Sequence, residues 1–294
     1  MFHDWQSRVD TTSTISVSIR ANKAKKSLML QGALLFNEKS SKGIQYLIDN
    51  CVIQNKKTLS PKEVALFLRQ GITLGLSKVS VGLYLGEKGK SIISSKSVPD
   101  FERDWFHDEV LVEYCNLFYF ASQPLLDGLR MFLSSFRLPG EAQQIDRIIQ
   151  AFAESCGRQC KENVDLNLFS ENEKKAVDTA YLLAFSIIML NTDLHNRNIR
   201  ADRKMSLEAF IKNNTDYGRD ITDEGKALPE EYLESIYMSI KFEEIRTEGE
   251  GADGIMTVDQ WNDVVIGGRG EHYLRYPFEF NFLFMPVNVN RWPS

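Results

Sequence analysis

Residues 178–198 (DTAYLLAFSIIMLNTDLHNRN) constrain this chain more tightly than any other segment. Wound at 3.6 residues per turn, Tyr181, Phe185, Ile188 or Met189, and Thr192 share one face. Leu182, Leu183, Ile187 and Leu190 cover another. A helix that is apolar nearly all round must be enclosed by other elements, so it is expected to be central core. Its apolar run, residues 180–190, falls short of the ~20 residues that a membrane span needs. The expectation is a soluble chain that does not cross a bilayer.

The elements able to enclose it carry the same helical period. Residues 22–38 place Leu28, Gln31 and Leu35 beside Leu30 and Leu34. Ser60 and Pro61 open another helix, with Glu63 at capping-box spacing and Val64, Phe67 and Leu68 on one face. Further helices are expected near 77–85, 108–120, 124–136, 141–160, 171–192, 206–213 and 229–244. Strand alternation is nearly absent, so the predicted class is all-α, stacked helices with short loops. Residues 87–106, rich in Ser and Lys, read as a long loop or insertion. Residues 1–21 read as a flexible leader without the apolar stretch of a secretory signal. Residues 247–294 read as a Gly/acidic linker followed by an irregular aromatic segment. The helical domain is thus expected over 22–246.

Familiar chemistry is largely excluded. Gly89-Lys90-Ser91 ends like a phosphate-binding loop, but Tyr84 stands where that motif needs Gly. Asp165-Leu166-Asn167 begins like a calcium loop, yet Phe169 and Ser170 replace the required ligand and Gly. Cys51, Cys115, Cys156 and Cys160 form no CxxC pair. His3, His107, His195 and His272 are scattered. No metal site, no cofactor and no covalent chemistry is expected. A formal net charge of −5 argues against a whole-surface nucleic-acid footprint.

Two segments stand out. In Phe136-Arg137-Leu138-Pro139-Gly140-Glu141 a helix ends, turns tightly and begins again. Pro139 biases Leu138 to an extended conformation. Glu141 then either complements a helix dipole, contributing ~0.3–1 kcal/mol, or projects a carboxylate from a stiff loop. The second segment is the central helix as it runs into Asn191-Thr192-Asp193-Leu194-His195-Asn196, a hydrogen-bonding cluster that suits a helix end. An apolar face, a polar turn and one projecting carboxylate suit binding another protein better than bond-making.

These segments, 136–154 (FRLPGEAQQIDRIIQAFAE) and 178–196, closely resemble the two signature motifs of the Sec-seven domain of Arf guanine-nucleotide exchange factors. The resemblance runs from about Lys25 to Glu244 and is strongest to the large, brefeldin-A-inhibited factors of the Golgi and endosomal system. It implies an elongated right-handed stack of about ten helices with a central groove. It also implies expulsion of GDP from an Arf-family GTPase, bound in its GDP and nucleotide-free states. By this resemblance Glu141 is the catalytic glutamic finger. Tyr181, Phe185, Ile188 and Met189 line the groove, Asn196 bonds switch backbone, and Asp146 meets a basic residue of the GTPase. Ser186, Asp193 and Met205 match drug-sensitive members and Phe185 the resistant type, which implies partial sensitivity to brefeldin A. A cytoplasmic protein, peripheral to Golgi or endosomal membranes and recruited through regions outside this domain, is the implied setting.

Overall fold

A computed structural model describes residues 2–50, 60–91, 98–121, 123–159 and 169–246, with side chains from Arg20 onward. Among the described residues there are ten α-helices and no strand, so the all-α class is borne out. The chain divides into two compact units, Met1–Leu117 and Phe118–Ser294.

In the first unit, α1 (Phe2–Glu38) packs on α2 (Ser40–Asp49), and α3 (Pro61–Gly71) packs on α5 (Asp104–Asn116), which also meets α4 (Lys78–Gly86). Helix α1 begins at Phe2, within the residues expected to form a leader. No Pro or Gly interrupts residues 2–31, so no helix breaker stops a helix nucleated further on from propagating back. Only Lys39, in an extended conformation, separates α1 from α2. Their close crossing depends on Gly43, where a Cβ would lie 2.5–2.6 Å from Phe36 Cβ, Cα and N. Phe36 then meets Phe67 and Tyr84 edge-on at 5.8 and 5.4 Å, and Tyr84 meets His107 at 4.6 Å. This aromatic row joins four helices.

The start of α3 follows the sequence: Glu63 accepts from the Ser60 N–H and hydroxyl at 3.0 and 3.1 Å. The expected loop at 87–106 is closed at its base. The Lys90 N–H donates to Glu102 O at 2.8 Å, and the Asp104 N–H donates to Lys90 O at 3.1 Å. With that base fixed, α5 starts at Asp104, inside the expected loop.

In the second unit, α8 (Glu173–His195) lies against α6 (Leu125–Ser134), α7 (Ala142–Arg158), α9 (Leu207–Asn214) and α10 (Glu230–Phe242). This helix is long and apolar enough to span a bilayer, which corrects the shorter estimate from its uninterrupted apolar run. Its length arises because residues 173–179 and 191–195 extend the helix beyond both ends of that run. About two-thirds of the stretch (67%) is buried inside the fold, as expected for a central core helix.

Beneath α6 and α7 sits a cluster of phenylalanines. Phe132 meets Phe118, Phe136 and Phe152 with ring centroids at 5.3, 5.0 and 5.3 Å. The far end of α10 is fastened to α8 and α6. Asn191 accepts from the Ile245 N–H at 2.7 Å, and Arg130 donates to Glu243 O at 2.6 Å. Cys115 and Cys156 are buried. Cys51, Cys160, the 165–168 part of the calcium-loop look-alike and the segment 247–294 lie outside the described residues.

Candidate functional site

The loop between α6 and α7 is anchored on both sides of its tip. Phe136 is fully buried, Leu138 is 7% exposed, and Pro139 and Ala142 are also buried. Gly140 and Glu141 between them are exposed. The apolar residues of FRLPGEA therefore pull the backbone down on either side and leave one carboxylate standing out.

Glu141 is the N-cap of α7, with φ −95° and ψ 129°, but its side chain caps no backbone N–H. The main-chain carbonyl does that work locally, accepting from the N–H groups of Gln144 and Ile145 at 3.1 Å each. The carboxylate instead accepts from Gln144 Nε2 at 3.0 Å. Gln144 went unnoticed in the sequence, although its place three residues into the helix is within reach of an N-cap side chain.

On α7 and α8 three of the candidate binding residues, Asp146, Tyr181 and Phe185, form one contact chain. The Tyr181 hydroxyl donates to Asp146 Oδ1, and the Tyr181 ring meets Phe185 edge-on at 4.9 Å. Tyr181 and Phe185 are 9% and 3% exposed, Ile188 is fully buried, and Met189 is half-buried. Ile188 thus forms the floor beneath this strip, whereas Met189 reaches its surface. Asp146 has an internal partner in Tyr181, a pairing across 35 positions that no sequence spacing signals.

Ser186 is 7% exposed and hydrogen-bonds the buried phenol of Tyr217. That phenol also donates to Asn214 Oδ1 at 2.7 Å, and burial pushes its pKa up. Ser186 and Phe185 are therefore next to each other in sequence but engaged on different sides.

The polar cluster at the end of α8 resolves into separate tasks. Asn191 holds the Ile245 backbone, and His195 Nε2 bonds the Ile240 carbonyl at 2.7 Å, a structural role for that histidine. Thr192 returns its hydroxyl to Ile188 O at 3.0 Å. Asn196 is the C-cap; its N–H donates to Thr192 O at 2.9 Å and its Oδ1 accepts from the Asn198 N–H at 2.8 Å. Asp193 Oδ2 accepts from the Met205 N–H at 2.6 Å, which brings two of the drug-site candidates together.

Burial raises the Asp193 pKa, and the Met205 hydrogen bond and the Lys204 charge oppose that rise. Between the unfolded value and the raised folded value, the native state binds the extra proton. The contribution of Asp193 to stability therefore falls as pH rises through the carboxylate range. Asp193→Asn keeps an oxygen for the Met205 N–H and cannot titrate. It is expected to flatten this fall, as read from denaturation midpoints between about pH 4 and 7. An unchanged pH slope would refute the assignment.

Among the described residues, no group of three or more His, Cys, Asp or Glu side chains is arranged to hold a metal ion. A depression of about 480 Å³ between α7 and α8, lined by Gln150, Glu154, Glu173, Lys174, Val177 and Asp178, includes none of the candidate residues.

Residues 25–245 match the family model of the Sec7 domain. The chain is 36% identical over 287 residues to brefeldin A-inhibited guanine nucleotide-exchange protein 1 of Arabidopsis thaliana, covering 91% of this chain and 15% of that protein. It is 40% identical over 246 residues to cytohesin-3 of Homo sapiens, covering 83% of this chain and 52% of that protein. The chain therefore spans only a minor part of the plant relative and about half of the human one.

Among solved structures, it resembles ARF1-GDP bound to a Sec7 domain complexed with brefeldin A, with a TM-score of 0.58 and 30% identity, covering 79% of this chain and 98% of that one. It also resembles the Sec7p catalytic domain, with a TM-score of 0.54 and 36% identity, covering 73% and 96%.

Proposed function

We infer, since this chain belongs to the Sec7 domain family, that it is a guanine-nucleotide exchange factor promoting GDP release from an Arf-family small GTPase. The observation that carries this reading is the exposed Glu141, held out by a loop whose flanking side chains are buried and spared from capping its own helix. A solved relative holds ARF1-GDP on a Sec7 domain.

Glu141 acts in this reading as the catalytic acid finger. It enters the nucleotide site, displaces the magnesium ion and repels the β-phosphate. No covalent bond is made or broken, and the exchange factor needs no cofactor of its own. Release is driven by destabilising bound GDP, after which GTP fills the emptied site.

The switch regions of the GTPase dock on the groove of α7 and α8. Tyr181, Phe185 and Met189 supply aromatic and thioether surface, the kind of contact that concentrates binding energy once desolvated. Ile188 supports them from below. Asp146 exchanges its Tyr181 partner for a basic residue of the GTPase, and Asn196 bonds switch backbone. Because Asp146 is already hydrogen-bonded in the free chain, it stays oriented before the partner arrives. Recruitment to Golgi or endosomal membranes from the cytoplasm belongs to regions outside 22–246.

Release of a fluorescent GDP analogue from an Arf lacking its N-terminal segment tests this reading. The chain is expected to accelerate release, and an unchanged rate would reduce it to an interaction module on the same fold. Brefeldin A added to the same assay is expected to slow release in part, through Phe185, Ser186, Asp193 and Met205. Partial rather than full inhibition follows because Phe185 is of the resistant type and the Ser186 hydroxyl is engaged by Tyr217. No effect of the drug at all would remove those four residues from an inhibitor site.

A further inference from the structure

The connection 196–206 joins α8 to α9, and it starts at Asn196. Its far end is fastened by three hydrogen bonds, two to α8 and one to α10. The Met205 N–H donates to Asp193 Oδ2 at 2.6 Å, and Lys204 Nζ donates to Leu194 O at 2.5 Å. The Tyr237 hydroxyl, on α10, donates to Met205 O at 2.9 Å. The backbone of one residue is thus held to α8 through its N–H and to α10 through its carbonyl.

Its near end is held by the two bonds of Asn196. Between these ends, Arg197, Asn198 and 200–203 are exposed. A segment with both ends fixed and its middle facing solvent has its position set by the fastenings. The Tyr237 ring is 6% exposed and lies 6.1 Å from the Phe210 ring, so the hydroxyl is delivered by a packed side chain. Burial, then the negative charges of Asp193 and Glu208, raise the phenol pKa, which keeps Tyr237 a donor at neutral pH.

We propose that Tyr237 is a positioning residue of the GTPase-binding face: by holding the Met205 carbonyl it sets the 196–206 connection, and with it the affinity for the partner. This rests on the exchange-factor reading. Tyr237 touches neither Glu141 nor the nucleotide site in that reading, so its effect falls on association and not on the release step.

Tyr237→Phe removes only the hydroxyl and preserves the ring. In the free chain, deuterium exchange of the amides in 197–205 is expected to quicken by about 2- to 10-fold, the worth of one ordinary hydrogen bond. In the release assay, KM for Arf–GDP is expected to rise by a similar factor with kcat unchanged. Lys204→Met, which removes a separate fastening, is expected to shift KM in the same direction.

A lowered melting temperature with unchanged KM would show a purely structural hydroxyl and overturn the proposal. Unchanged amide protection would overturn it as well. A wild-type chain that engages no GTPase overturns the proposed partner together with the functional reading. The amide measurement, which uses no GTPase, still decides whether Tyr237 fixes the connection.

Discussion

Glu141→Lys is expected to reduce GDP release by about three decades while the GTPase still binds. Two like unit charges about 4 Å apart at an effective dielectric of 20 repel by ~4 kcal/mol, which is about a thousandfold in nucleotide affinity. Lysine replaces that repulsion with attraction to the β-phosphate, so nearly the whole contribution is lost. Binding persists because the proposed contact surface, Tyr181, Phe185 and Met189, lies on α8 and is untouched.

Folding is expected to be nearly unaffected by this change. Glu141 is exposed and its side chain is held only by Gln144, so the cost is that of a cation at a helix N-terminus, ~0.3–1 kcal/mol. Single-turnover release and a pull-down of the nucleotide-free GTPase make the check. Equal release by both proteins would sink the acid-finger assignment, whatever the binding result.

Phe132→Ala is expected to have the largest effect on stability, about 3–5 kcal/mol. Phe132 is fully buried, and its ring touches those of Phe118, Phe136 and Phe152 while lying 6.4 Å from Phe120. Removing it opens a cavity that four rigid rings cannot collapse to fill. Against a typical total of about 5–15 kcal/mol, the second unit would be left near its threshold.

The midpoint of urea unfolding should fall without a change in slope. Release activity should fall along with it, because Phe136, the root of the Glu141 loop, leans on the same ring. A cost below about 1 kcal/mol would mean that this cluster does not found the unit.

Much of the fold was legible because it rests on local signals. The Ser60, Pro61 and Glu63 pattern marked the start of α3, and the all-round apolar α8 announced a buried helix. Two features hid from the same reasoning. Residues 40–49 show weak helical composition, with two Ser and a Gly, and the benefit of Gly43 lies in how closely Phe36 can approach. The N-terminal part of α1, rich in Thr, Ser and Val, has poor intrinsic propensity and is helical as an extension of a better segment.

The site divides in the same way. The Glu141 loop could be read from Pro139 and Gly140, since turn chemistry is local. The Tyr181–Asp146, Tyr217–Ser186 and Tyr237–Met205 contacts could not. Each joins residues about 30 or more positions apart, and a tyrosine hydroxyl carries no period or spacing that would betray its partner. Burial shows the same limit: helical spacing left Ile188 or Met189 to share the face of Tyr181 and Phe185, and only packing separates the buried Ile188 from the half-buried Met189.

The N-cap of α7 is a place where Ser, Asn or Asp would tie down a backbone N–H and stabilise the helix by ~1 kcal/mol. Glu141 occupies that place, and its side chain ties down no backbone N–H. For fold stability alone, Ser, Asn or Asp would serve this place better than Glu141, whose carboxylate bonds the Gln144 side chain instead of a backbone N–H. In the exchange-factor reading proposed above, that forgone cap leaves the carboxylate for what the loop meets outside the molecule.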